Sequence, residues 1–179
     1  MKIDLRWPVV LVALVLTVSC IYGVNYWRQQ RFIDEPLRES LLNVNGVEDV
    51  EINNKKQKNS VTEVSILLQE VEDLSKTYKE IEGILDLAYA QDSYRIVILD
   101  KRDSYLESLY NRIHYALMEG ERRGNYNNMN KEVSLLLDNE TSLKNYHLRV
   151  DQKRIYLQLS SEEKYLYEII PINTSTEVS

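Results

Sequence analysis

Residues 74–99 read LSKTYKEIEGILDLAYAQDSYRIVIL and place an amphipathic helix directly before a strand. Asp73, which precedes them, is a residue type that caps helix N-termini. The apolar positions of the helix recur at helical spacing: Leu74, Tyr78, Ile81, Leu85 and Ala88. The last six residues, 94–99, are a nearly continuous apolar run, which is typical of a strand covered on both sides. We therefore expect residues 94–99 near the middle of a sheet.

The segments before this stretch predict a helix and a hairpin. A helical pattern begins at Pro36, and Asn45-Gly46 has the residue types that end a helix. Residues 47–53 (VEDVEIN) and 61–69 (VTEVSILLQ) then flank a polar loop. Such a pair predicts a hairpin of two unequal strands.

The segments after residue 99 predict helices followed by strands. The capping-box pattern Ser104-x-x-Glu107 opens a long helix that ends near Gly124, and residues 127–138 suggest a shorter one. Three strand-like runs with short polar turns follow and predict an antiparallel meander: residues 145–150, 154–159 and 165–170. The predicted fold class is α+β, a single α/β sandwich domain with the order αββαβ and then α(α)βββ.

The order helix, strand, strand, helix, strand over residues 36–99 resembles the ring-building modules of membrane-anchored proteins in secretion channels and in the sporulation channel. The likeness is one of topology and covers about a third of the chain. It implies self-association or partner stacking through one face of the sheet.

A separate prediction concerns residues 7–27, WPVVLVALVLTVSCIYGVNYW, which carry no charge. As a helix they extend about 30 Å, the thickness of a bilayer's hydrocarbon core. Aromatic side chains suited to the two membrane interfaces stand at its ends: Trp7, Tyr22, Tyr26 and Trp27. We expect one N-terminal transmembrane helix that anchors the chain in the lipid bilayer.

The orientation of this span follows from its short basic tail. Lys2 and Arg6 precede it, whereas Arg28 and Arg31 follow it, so the positive charges nearly balance. A short basic tail before the first apolar run is the usual arrangement of a signal anchor, which exports the rest of the chain. We expect a single-pass protein of the cell membrane with an extracytoplasmic C-terminal domain.

Two processing alternatives remain open. A cleaved signal peptide is disfavoured because the apolar run is long and lacks an A-x-A-like site. The segment before Cys20, the only cysteine, is similar to a lipobox, but Thr17 stands where that pattern prefers Leu. Otherwise Cys20 is a small apolar residue within a helix.

These patterns divide the chain into five segments. They are listed in order: a cytoplasmic tail (1–6), the transmembrane helix (7–27), a polar stalk (28–35), the extracytoplasmic α/β domain (36–171) and a disordered tail (172–179). The only charges before residue 28 are Lys2, Asp4 and Arg6, so the rest has net charge −7 against −6 for the whole chain. This balance argues against nucleic acid as a partner, because nucleic-acid binding needs a basic surface.

The residue patterns that carry chemistry are sparse. His114 and His147 lie far apart, no H-E-x-x-H or cysteine pair occurs, and the five glycines form no P-loop or G-x-G-x-x-G. The acidic pairs lie in turns or at element ends, where acids are ordinarily solvated. We therefore expect no enzyme activity, no catalytic residue, no metal site and no cofactor.

Tyrosine, with thirteen residues, is the one conspicuous enrichment. Tyr156, Tyr165 and Tyr167 on the last two strands are predicted to form an interface with a protein partner, because tyrosine supplies contact area with a polar tip. The alternative is that these rings cover sheet edges or lie in the core.

Three functions are compatible with these features. The first is a non-catalytic envelope protein whose exported domain binds or assembles with other proteins, which include further copies of itself. The second is an extracytoplasmic sensor with a ligand pocket between the sheet and the second long helix. The third is an enzyme whose acids meet only in the fold.

Overall fold

The computed structural model describes residues 14–20, 34–53, 61–90 and 92–172, and its fold is α+β. The order of elements over residues 35–171 is the predicted one. A further helical segment covers residues 14–20. The other elements are helices α1 (Glu35–Leu42), α2 (Leu74–Ala88), α3 (Ser104–Arg123) and α4 (Tyr126–Leu137), and strands β1 (Val47–Asn53), β2 (Thr62–Leu68), β3 (Tyr94–Leu99), β4 (Asn145–Val150), β5 (Arg154–Ser161) and β6 (Lys164–Pro171).

None of the helices within the described residues is both long enough and apolar enough to cross a membrane. Of the predicted span, the structure describes only residues 14–20, which are helical and exposed. The predicted anchor residues Trp7, Tyr22, Tyr26 and Trp27 lie outside the described residues, as do the tail 1–6 and most of the stalk.

The first half of the domain, residues 34–99, is a three-stranded sheet with two helices on one face. β1 and β2 form the predicted antiparallel hairpin, and β3 returns through α2 to pair parallel with β2. Alternate residues of the strands face α1 and α2 and form one core cluster with them. Its fully buried members include Leu41, Val64, Ile66, Leu68, Ile81 and Leu85.

The prediction that residues 94–99 lie in the middle of a sheet is wrong. The strand order is β1-β2-β3, so β3 is an edge strand and β2 is central. β3 is covered on one face only. On that face Ile96 and Ile98 pack against the core, whereas Arg95 and Leu99 on the other face are exposed. The apolar run reflects β-propensity on the outer face as well as core packing on the inner face.

The second half, residues 104–172, is the predicted antiparallel meander, with strand order β4-β5-β6 and the hairpin of α3 and α4 on one face. Ile155, Leu157 and Leu159 of β5 face these helices and are fully buried. The other face of β5 carries Tyr156 and Gln158 against the first half, and it is buried too. β5 is therefore the strand covered on both sides.

Capping groups determine where the helices begin and end. Asp73 caps α2 as predicted, because its carboxylate accepts the backbone N–H groups of Ser75 and Lys76. The cap of α3 is Asp103, which accepts the N–H of Leu106, and not the predicted Ser104. α3 ends at Gly124, whose φ of 63° is the left-handed conformation that glycine adopts without strain.

Candidate functional site

The candidate site is an open cleft between α2, β3 and the start of β5, with a volume of about 760 Å³. We call it the tyrosine cleft, because Tyr78, Tyr89 and Tyr94 line it. α2 supplies Glu82 and Asp86, four residues apart and therefore on one helical face.

Arg154, the first residue of β5, is the centre of the cleft. Its guanidinium forms two parallel hydrogen bonds with the Glu82 carboxylate, one of them 3.1 Å long, and its Cζ lies 4.8 Å from the centre of the Tyr78 ring. Burial lowers the pKa of Arg154, but the Glu82 carboxylate together with the Tyr78 and Tyr156 side chains outweighs this and raises the pKa above its ordinary value. The forked geometry fixes the orientation of both side chains.

Two further tyrosines of the cleft lie near carboxylates. The Tyr94 hydroxyl donates to Asp86 over 2.5 Å, and burial together with this carboxylate raises the pKa of Tyr94. Burial and the nearby Asp34 raise the pKa of Tyr89 to about 12. Both phenols are neutral at physiological pH, and their rings stand 6.0 Å apart. Arg154 and Tyr94 are thus held in place by the carboxylates of Glu82 and Asp86 within the cleft lining.

A second cleft, of about 420 Å³, continues the first between the edge strands β3 and β6. We call it the edge groove, and its apolar lining is Ile96, Ile98, Ile169 and Pro171. It shares four lining residues with the tyrosine cleft, so the two form one continuous depression: Tyr78, Arg95, Ile96 and Arg154.

Asp100 and Arg102 close one end of the edge groove. The Asp100 side chain is only 3% exposed, and it accepts the backbone N–H of Tyr167 over 2.8 Å. Arg102 binds the Asp100 carboxylate at 2.7 Å, the Glu168 carboxylate at 3.0 Å and the carbonyl oxygen of Tyr167 at 3.3 Å. The outward backbone groups of β6 at Tyr167 are therefore occupied by side chains of the chain itself.

Several other polar contacts join the two halves of the domain, residues 34–99 and 104–172. We call the boundary between these halves the seam. Ion pairs connect Glu70 to Lys144, Asp73 to Arg149 and Lys79 to Asp151. The Tyr167 hydroxyl accepts the N–H of Val71 and donates to the carbonyl of Gln69, both over 2.9 Å. The Gln158 amide bonds the backbone at Val71 and Leu74. The turn before α2 thus has its buried backbone groups satisfied by the second half.

The three tyrosines predicted as a partner interface are not exposed. Tyr156, Tyr165 and Tyr167 are 2%, 5% and 2% exposed and belong to the core cluster of the first half. They are buried because the first half packs on this face of the second sheet, with the Tyr156 ring against Tyr78 at 6.0 Å. The alternative, that these rings lie in the core, is the one the structure supports.

The remaining sequence candidates lie apart from the clefts. His114 is half-buried on α3 beside the Tyr110 hydroxyl, and His147 contacts the Asn145 amide on β4. Among the described residues no cluster of His, Cys, Asp and Glu could hold a metal ion. The pocket of the sensor hypothesis was expected against the second long helix, α3, but neither the tyrosine cleft nor the edge groove is lined by α3.

The residues that form the clefts and close the groove are not predicted by the sequence patterns. Asp100 and Arg102 follow an apolar strand directly, and a charge at such a position is a signal of strand-end function that could have indicated them. Glu82 and Arg154 are 72 residues apart, and no local pattern links them.

The chain is thus an α+β protein with two three-stranded sheets and a cleft, lined by three tyrosines, between α2, β3 and the start of β5. Comparison with protein-family models, with curated proteins and with solved structures gives no match for this chain.

Proposed function

We propose that this chain is a single-pass membrane protein whose exported α+β domain forms non-catalytic contacts with other proteins, with a second copy of the chain as the first partner. The observation that carries this proposal is the face of the first sheet that points away from α1 and α2. We call it the outer face.

The outer face carries apolar side chains that contribute to neither core cluster. Leu67 and Leu99 are neighbours across the β2–β3 ladder, and Val97 lies one step along β3. None of the three belongs to either cluster, and Leu99 is 46% exposed. Glu63 and Arg95, a pair of opposite charges on adjacent strands, border this patch. An apolar centre with a charged rim is a common pattern in protein interfaces.

The size of the outer face suits a partner in the same membrane. Three strands of about six residues cover roughly 300 Å², whereas a stable complex buries about 800 Å² per partner. A contact this small is weak in free solution. Anchoring two molecules in one bilayer raises their effective concentration, which compensates for low affinity. A second copy of the chain is the partner that anchoring always supplies.

Three features of the chain support the rest of the proposal. The uncharged residues 7–27 favour the anchor, and the net charge of −7 beyond them disfavours nucleic acid. The order αββαβ over the first half is also that of ring-building modules, which favours assembly over catalysis.

The test uses full-length protein in lipid vesicles, with donor and acceptor dyes on the C-termini of separate copies. We expect energy transfer above the level of random mixing, and we expect Leu99→Glu to abolish the excess because it places a charge in the apolar patch. Leu135→Glu on α4, which is 75% exposed and remote from the first sheet, is the matched control and should change nothing.

Two results would contradict the proposal. Protein that does not float with the vesicles would exclude the anchor. Energy transfer at the random level, or an equal loss with Leu135→Glu, would exclude assembly through the outer face.

A further inference from the structure

We propose that Asn45 is a site of spontaneous modification in the folded protein, where the side-chain amide is lost and part of the product has a rerouted main chain. The inference is independent of the proposed function, because it concerns only the turn between α1 and β1.

The reaction is the one open to an asparagine that precedes a glycine. The backbone nitrogen of Gly46 attacks Cγ of the Asn45 side chain, and ammonia leaves with the amide nitrogen and the proton of the Gly46 N–H. The succinimide ring that results is then opened by water at either carbonyl. One product is aspartate, and the other is isoaspartate, whose main chain runs through Cβ and Cγ and is one methylene longer. Glycine favours ring closure because it has no Cβ to hinder the approach.

The first argument is that the nitrogen of Gly46 is available. Among the described residues none accepts the N–H of Gly46, although its carbonyl oxygen accepts the N–H of Gln69 over 2.7 Å. A backbone N–H that donates a hydrogen bond has to give up that bond before its nitrogen attacks. Ring closure at Gly46 carries no such cost within the described part of the chain.

The second argument is that the Asn45 side chain is free to rotate. Asn45 lies in the turn and is exposed, and no described group holds its amide. Other asparagines are held: the Asn125 side chain accepts the N–H of Asn128 over 3.2 Å, and the Asn128 amide donates to Glu132 over 2.7 Å. The amide of Asn45 therefore reaches the Gly46 nitrogen without the loss of a side-chain hydrogen bond.

Asn43, two residues earlier, provides an internal comparison. It is exposed like Asn45, but the next residue is Val44, whose N–H donates to the carbonyl oxygen of Leu41 over 3.1 Å. The attacking nitrogen at Asn43 is thus bonded and is hindered by a β-branched side chain. We expect Asn45 to react and Asn43 to stay intact in the same turn.

The isoaspartate product does not fit this turn. Gly46 has a φ of 90°, and a Cβ placed on it would lie 2.2 Å from Val71 Cγ1, so its backbone is packed closely against that side chain. A methylene inserted before Gly46 displaces this contact and the hydrogen bond from Gln69. Both connect the turn to the residues that follow β2, so the isoaspartate form should be less stable than the parent protein.

The experiment incubates full-length protein at neutral pH in water enriched in heavy oxygen and then digests it in ordinary water for mass spectrometry. Ring opening takes its oxygen from water, so only modification during the incubation carries the label. Fragment ions should place the label at Asn45, in an aspartate and an isoaspartate form, before Asn43 loses a detectable amount of amide. Asn45→Gln should abolish the labelling, because the longer side chain would have to form a larger ring.

A parallel incubation in guanidinium chloride measures the reaction of the unfolded chain. An unlabelled Asn45 in the folded protein would overturn the inference whether or not the unfolded chain reacts, and so would equal labelling at Asn43. Amide hydrogen exchange tests the consequence for the fold. Exchange at Gln69 should be faster in the isoaspartate form, and unchanged exchange there would overturn the claim that this product does not fit the turn.

Discussion

The two three-stranded sheets of the domain differ in how many of their faces are covered. The sheet of β1, β2 and β3 is covered by α1 and α2 on one face, and its outer face carries Leu99, which is 46% exposed. The sheet of β4, β5 and β6 lies between the α3–α4 hairpin and the first half, so β5 is buried on both faces.

The difference teaches that the hydrophobicity of a strand is a weak guide to its place in a sheet. β3 reads YRIVIL and is an edge strand, whereas β5 reads RIYLQLSS and is central. The polar residues of β5 tolerate burial because they have partners, as Gln158 does in the backbone at Val71. The place of a strand in its sheet depends on the elements that pack against it, and these elements lie elsewhere in the sequence.

The largest expected effect comes from matched Leu→Ala changes in the two sheets. Leu157→Ala on β5 removes a fully buried side chain and should lower the free energy of unfolding by about 2–5 kcal/mol. Leu99→Ala on β3 should cost less than about 1 kcal/mol, because its side chain is half-exposed already. Urea denaturation followed by circular dichroism measures both. Equal losses would mean that the outer face is covered in solution, and the comparison would fail.

The seam between the halves is tested at Asp100. Asp100→Ala leaves the N–H of Tyr167 and the Arg102 guanidinium without their buried acceptor, which should cost about 2–3 kcal/mol. Asp100→Asn keeps one acceptor oxygen and should recover part of the loss. If both variants unfold at the urea concentration of the parent protein, the seam contributes nothing to stability.

A Gly→Ala change should lower the free energy of unfolding in a helix of the second half and raise it in a helix of the first half. A Cβ at Gly120 of α3 would lie 2.5 Å from Met129 Cβ, so Gly120→Ala should destabilise by about 1–3 kcal/mol. A Cβ at Gly83 of α2 meets no heavy atom within 4 Å, so Gly83→Ala should stabilise by about 0.5–1 kcal/mol. Thermal melts would show the contrast, and a loss at Gly83 would indicate that α2 has a partner on that side.

The smallest expected effect is an acid-dependent one at Asp151. Burial raises the pKa of Asp151, but the Lys79 ammonium and two backbone N–H groups outweigh it and hold the pKa below the usual value. A depressed pKa contributes stability that is complete above the unfolded-state value of about 3.9 and is lost as pH falls below it. Asp151→Asn should therefore flatten the loss of stability below about pH 4. Measuring the urea midpoint of both proteins over a series of pH values would reveal this difference. If both midpoints fall in parallel below about pH 4, Asp151 does not contribute to the acid dependence of stability.

Local patterns were enough to predict much of this fold. The alternation of Ile155, Leu157 and Leu159, the cap at Asp73 and the glycine at position 124 are each set by neighbouring residues, and each was predicted correctly. The element order over residues 35–171 follows from these signals.

The rest depends on contacts between the halves, which local patterns do not encode. The Tyr156 side chain has an apolar ring and a polar hydroxyl group, so it suits an exposed interface as well as a core. Only the packing of α2 against β5 decides between them. The candidate cleft is hidden from sequence for the same reason, because Glu82 and Arg154 meet across 72 residues of chain.

The occupied edge of β6 at Tyr167 also has a consequence for the order of events during synthesis. Domains are made from the N-terminus, and a newly made strand with an open edge is exposed to pairing with other chains. Asp100 and Arg102, which occupy that edge, leave the ribosome more than 60 residues before Tyr167. The groups that protect the last strand are therefore already present when it emerges.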